Sequence, residues 1–220
     1  MTDTIPFAAA VQQYRTALAT AMRFNDANLS EQGNAQRRRD IVSKARADLL
    51  AKRPLLPQSG ESRDSVLASM TATTADEIAR LQHAQSKVRA RLDAGQPLSR
   101  IIADADEQTA LAIADLVDTL PQVLQSNDGA AIVDETRSLV FDRLADLGVE
   151  RAATSRDMAQ RNAPAIAWHA AMTEAAEHGN ASIGAWANVH RADADGYNAV
   201  RDSFDGQVDE WLRRLDATEG

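Results

Sequence analysis

Cysteine is absent from this 220-residue chain. No disulfide, thiolate nucleophile or cysteine-based zinc or iron–sulfur site can form, and the composition fits a reducing compartment. Aromatic residues make up only 4% of the chain. No stretch approaches the roughly 20 consecutive apolar residues that a membrane-spanning helix needs. The opening "MTDTI" has neither the basic start nor the apolar run of a signal peptide. The expectation is a soluble protein, cytoplasmic when synthesised, with no membrane partner.

Chemical motifs are missing as well. G-x-G-x-x-G, Walker, G-x-S-x-G and H-E-x-x-H patterns do not occur. Of the four histidines, His83, His169, His178 and His190, none follows a Glu by three residues, so the Glu-x-x-His pair of dimetal carboxylate bundles is lacking. Glu174 and His178 share a helical face but supply too few ligands for a metal. The stretch "RADADGYNAVRD" has the Asp193, Asp195 and Gly196 of a calcium loop, yet Arg191 would occupy its first ligand position and Asp202 its twelfth, where a bidentate Glu belongs. His190 lies on an apolar stripe, where a hydrogen-bonded interior or interface histidine is expected. The reading is of a non-enzyme with no cofactor and no metal.

What the chain does have is helical periodicity. Phe7, Val11, Tyr14, Leu18 and Ala21 step by four and three, and Ser30 is placed to cap a second helix carrying Ile41, Val42, Ala45 and Leu49. The short connection between them predicts an antiparallel hairpin over residues 1–53. "PLLPQSGES", residues 54–62, reads as a Pro/Gly/Ser linker. Residues 63–220 read as a multi-helix bundle. Its expected parts are one continuous helix from about Leu67 to a Gly95 cap, another from Leu98 to Leu120, a helix from Ile132 stopped by Gly148, and a short helix after Pro164. It ends in a long apolar run from Ser182 to Asp216, with bends or a break expected near Gly196. The fold class is all-α: an elongated bundle of long amphipathic helices with coiled-coil-like seams. "DADE", Asp104 to Glu107, is expected one turn inside its helix, favoured by the helix dipole.

Charge is unevenly spread. There are 24 Lys and Arg against 32 Asp and Glu, a net of -8, whose field repels phosphate and argues against nucleic acid as a partner. Yet "NAQRRRDIVSKARADLLAKR", Asn34 to Arg53, gathers cations. On a wheel advancing roughly 100 degrees per residue, Arg46, Arg53 and Arg39 border the Ile41/Val42/Ala45/Leu49 stripe on one side, with Lys44 and Arg37 on the other. Arg38 and Lys52 fall on the stripe near its ends. Cations bordering a buried stripe suit docking against acidic helices, whereas a phosphate-binding helix would gather them on its outward face. The alternative reading is a regulatory binding module or nucleic-acid-associated factor using residues 37–53, through Arg37, Arg38, Arg39, Lys44 and Arg46. Trp168, Trp186 and Trp211 read first as core anchors, but in so aromatic-poor a chain they are also the best interface candidates, Trp186 and Trp211 among the residues named for that role.

"VQQYRTAL" followed by "NLSEQGNAQRRRDIVSKARADL", with the richness in Ala, Asp and Arg, resembles small helical proteins in the structural gene clusters of tailed phages of actinobacteria. The resemblance covers about 50 residues and carries over no functional residue. It implies a virion or assembly role, as a capsid-associated, connector or scaffold-like component incorporated into a virion. The partners expected are proteins, through self-association or membership of a larger assembly.

Overall fold

The computed structural model describes residues 5–204 and 206–217, and every regular element among them is helical. By packing, the chain divides into two compact units, residues 59–159 and residues 1–58 with 160–220. This differs from a division into 1–53, 54–62 and 63–220. The hairpin shares its core with residues from the far end of the chain, so long-range burial decides the grouping and chain order does not.

In the discontinuous unit, α1 (Ile5–Arg23) and α2 (Glu31–Ala51) form the hairpin. Ser30 Oγ caps α2 by accepting from Gly33 N–H at 3.1 Å. Buried Asn34 ties the connection down, accepting from Asp26 N–H at 2.7 Å while its amide donates to the Asp26 carbonyl at 3.0 Å. The helices run antiparallel: Arg38 Nε donates to the Phe24 carbonyl beside the connection, and Lys52 reaches Gln13 at the far end. Val11, Tyr14, Leu18, Val42 and Leu49 are buried against Trp168 and Met172, which lie on α9 (Glu150–His178). Each such apolar side chain contributes about 1.5–3 kcal/mol by leaving water.

In the rest of this unit the terminal run is three helices, with one break close to Gly196 as expected and a second before Gly206. It holds α10 (Ile183–Ala192), α11 (Ala194–Arg201) and α12 (Gly206–Ala217). The first break falls at Asp193, before Gly196, because the Asp193 carboxylate caps α11 by accepting from Gly196 N–H at 3.0 Å. α9 is also longer than expected, and Pro164 lies inside it. Proline removes a backbone N–H there, so one hydrogen bond of the helix is missing, yet neighbouring Ala167, Trp168, Ala171 and Met172 are buried and hold the helix in place by packing.

The continuous unit holds α3 (Arg63–Ser69), α4 (Ala75–Asp93), α5 (Leu98–Ala103), α6 (Glu107–Leu116) with a 3-10 turn at Val117–Thr119, α7 (Pro121–Leu124), α8 (Gly129–Asp146) and the first turns of α9. Val66, Val88, Ile101, Ile113, Val117, Val140 and Leu144 form its core. The expected Leu67–Gly95 helix is two helices. A reciprocal cap divides them: Thr74 Oγ1 accepts from Glu77 N–H at 3.3 Å, and the Glu77 carboxylate accepts from Thr74 N–H at 3.0 Å. The Leu98–Leu120 run is divided likewise, because Asp106 caps α6 by accepting from Thr109 N–H at 2.8 Å. "DADE" is thus the junction of two helices and not the interior of one. Gly95 and Gly148 do end helices, with φ of 80° and 79°. In each case the following residue donates back across the turn, Gln96 to Arg91 and Val149 to Leu144, each at 3.0 Å.

Candidate interaction surfaces

The cations of α2 do not converge on one outward surface. Arg46 Nη2 meets Asp216 of α12 at 2.6 Å. Arg38 is spent on the Phe24 carbonyl, and just past the helix Arg53 donates to Thr173 Oγ1 at 3.1 Å. Arg39 is half-buried, while Arg37 and Lys44 are exposed. Arg46 lies close enough to Tyr14 to lower its phenol pKa, against the burial that holds that pKa above its ordinary range. The Tyr14 hydroxyl donates to the Ala175 carbonyl at 2.9 Å.

A buried charge that spacing does not reveal lies on α1, beside Tyr14. Arg15 is only 4% exposed, and it pairs with Asp209 of α12 while its guanidinium sits 5.9 Å from the centre of the Phe204 ring. Position 15 flanks the apolar stripe next to Tyr14, and nothing in its spacing separates it from a solvated border cation.

Trp186 and Trp211 are core residues of this unit more than surface anchors. Trp186 is buried, donates from Nε1 to Asn180 Oδ1 at 3.1 Å, and packs on Phe204 with ring centres 4.8 Å apart. Trp211 is half-buried against the same cluster. His190 is exposed, with its ring edge-on to Tyr197, so it is no interior histidine. Glu174 does not turn to His178: it accepts from Ser182 N–H at 2.8 Å, and that bond holds its carboxyl below the usual range. Among the described residues, no three His, Asp or Glu side chains group closely enough to hold a metal.

Apolar side chains do reach the surface. In the discontinuous unit the segment after α2 lies along one face of α9, with the Pro54 carbonyl 2.8 Å from His169 Nδ1 and the Gln58 carbonyl accepting from Asn162. Between these two pins Leu55 is 91% and Leu56 58% exposed, and Ile166 on the same face of α9 is also exposed. At the start of α10, Ile183 is 90% exposed.

In the continuous unit, two cavities of about 250 and 610 Å³ share Met70, Leu81 and Leu111 as their floor. One wall is a single face of α6 with the turn that follows it, Glu107, Leu111, Ala114 and Asp118, at steps of four, three and four. The other runs from Ser69 at the end of α3 through Thr73 and on to Glu77, Arg80 and Leu81 of α4. No described helix is long and apolar enough to cross a membrane. No protein family, curated protein or solved structure matches the chain.

Proposed function

We propose that this chain is a non-enzymatic structural or assembly protein whose working parts are helical protein–protein surfaces, including self-association. The phage-like N-terminal pattern extends the proposal to a virion component of the capsid-associated, connector or scaffold-like kind, made in the cytoplasm. In the assembled state the amphipathic helices would extend as an elongated bundle through coiled-coil-like seams.

The observation that supports this reading is the apolar surface around Leu55, Leu56 and Ile166. Leu55 and Leu56 stand in water although the backbone beside them is pinned to α9 at Pro54 and Gln58. Covering such side chains with another protein contributes favourable free energy that the isolated chain forgoes. Sedimentation equilibrium over a concentration series tests it. The average mass is expected to rise with concentration in the native chain and to fall back in Leu55→Asp/Leu56→Asp, whereas a monomer mass at every concentration overturns the proposal.

The alternative, a nucleic-acid-associated factor using residues 37–53, is disfavoured by the engagement of Arg38, Arg46 and Arg53 within their own unit. A gel-shift titration with duplex DNA and single-stranded RNA at physiological salt is expected to show no competitor-resistant complex.

A further inference from the structure

The groove of the continuous unit has a chemistry that selects its occupant. Its shared apolar lining, Met70, Leu81 and Leu111, is half-buried, and Met70 and Leu111 pack against the core of the unit. Around that lining stand Asp64, Glu77, Glu107, Asp115 and Asp118, against Arg80 and Arg137 alone. Asp118 is paired with Arg137 at 3.3 Å and Asp64 with Arg63 at 3.0 Å, so those two carboxylates are partly neutralised. The whole unit is acidic as well: residues 59–159 contain 17 Asp and Glu against 10 Lys and Arg, a net of -7 out of the chain's -8. The field at this groove therefore draws cations toward an apolar floor.

One wall is helical, and the other joins the short Met70–Thr73 connection, whose Thr73 N–H is already taken by the Glu77 carboxylate, to the first turns of α4. Helices have already paired their backbone groups, so they offer no edge on which an extended peptide could hydrogen-bond. An incoming helix satisfies its own backbone and presents only side chains. From Glu107 to Asp118 the lined face of α6 and its following turn runs roughly 16 Å at 1.5 Å per residue, about three helical turns. That length accepts apolar anchors spaced four, three and four along a partner. The reciprocal cap of Thr74 and Glu77 fixes the start of α4, which keeps the opposite wall helical without a partner.

We propose that this groove binds a basic amphipathic helix of another protein, its apolar stripe on Leu81 and Leu111 and its Lys or Arg residues facing the acidic rim. The proposal rests on the reading of the chain as an assembly protein and names one partner chemistry for it. The chain's own α2 does not meet the description, since its apolar stripe, Val42, Ala45 and Leu49, is buried in its own unit.

The test uses the full chain and three amidated, fluorescent peptides of about 14 residues, long enough to form the three turns. One carries Leu at four-three-four spacing with Lys and Ala elsewhere, the second replaces Lys by Glu, and the third carries a central Pro. Anisotropy at about 150 mM salt, where long-range charge attraction is screened, is expected to show saturable binding of the first peptide only. Glu107→Lys/Asp115→Lys, both exposed positions, should weaken it about tenfold or more through like-charge contact. Leu81→Gln should weaken it too. Asp93→Lys/Asp142→Lys, with the same change in net charge away from the groove, should not.

Equal binding of the Glu or Pro peptide, no binding at all, or equal loss in both double-Lys variants overturns the proposal. So does a chain that self-associates through this groove, read as loss of self-association in Glu107→Lys/Asp115→Lys, because the occupant is then a second copy. These outcomes leave the assembly reading to be decided by the mass series, which does not depend on the peptides.

Discussion

The indole of Trp168 donates from Nε1 to the Asp193 carboxylate at 2.8 Å, joining α9 to the cap that starts α11. One carboxylate thus satisfies a buried tryptophan and sets where the terminal helical run breaks. Gly196 fits beneath it because a Cβ there would collide with Asp193 and crowd Trp168.

Replacing Asp193 by Ala removes a helix cap and leaves a buried indole N–H without its acceptor. Together these are expected to cost about 2–4 kcal/mol. Urea unfolding followed by tryptophan fluorescence measures the loss, and Asp193→Asn should recover part of it.

Tyr14→Phe deletes only the hydroxyl that donates to the Ala175 carbonyl at 2.9 Å. The expected loss is about 1 kcal/mol with the fold retained. Because burial raises the phenol pKa, ionisation of Tyr14 opposes folding, so the native chain should lose stability at alkaline pH more steeply than Tyr14→Phe. Chemical denaturation repeated toward high pH compares the two.

Gly179 ends α9 at a φ of 84°, and a Cβ there would overlap Leu212 of α12. Gly179→Ala combines left-handed backbone strain with overpacking, for an expected loss of about 2–4 kcal/mol. Thermal unfolding by circular dichroism reads it.

The Glu77 carboxyl is held at about 2, below its ordinary 4.5, chiefly by the backbone N–H groups of Thr74 and Thr73. A lowered carboxyl pKa supports the folded end of α4 fully above about pH 4.5, and that support disappears as pH falls through about 2. Amide exchange at Ile78 and Ala79, taken relative to the intrinsic rate at each pH, should therefore become faster selectively in acid. In Glu77→Ala it should be fast at neutral pH already.

The exposed Arg37 and Lys44 of α2 provide a contrast with the engaged Arg46. Arg37→Ala and Lys44→Ala are expected to stay within about 0.5 kcal/mol of the native chain, as surface changes usually do. Arg46→Ala should cost more, since Arg46 joins Asp216 and packs beside Tyr14. Urea midpoints rank the three.

The helices themselves were legible because Val11, Tyr14, Leu18, Val42 and Leu49 recur at helical spacing, and the caps at Ser30, Gly95 and Gly148 follow from residue type and position. Where helices end inside a continuous apolar stripe was harder to read. Met70, Ile78 and Leu81 keep one face, yet the Thr74–Glu77 pair interrupts them. Its Thr-x-x-Glu spacing was a usable signal that the stripe concealed. Asp106 and Asp193 interrupt their stripes in the same way, by local side-chain hydrogen bonds that outweigh periodicity. The opposite error, a break expected at Pro164, arose because burial of Trp168 and Met172 carries the helix through. Arg15 and the groove beside α6 depend on which helices meet, and spacing within one helix does not contain that information.

Association with protein, itself included, is the proposed way in which this chain works. Light scattering on the full chain as it elutes at high micromolar concentration tests it most directly. The expected mass lies above the 23.8 kDa of one chain and is reduced by Leu55→Asp/Leu56→Asp. A mass equal to one chain throughout the elution, unchanged in that variant, would contradict it.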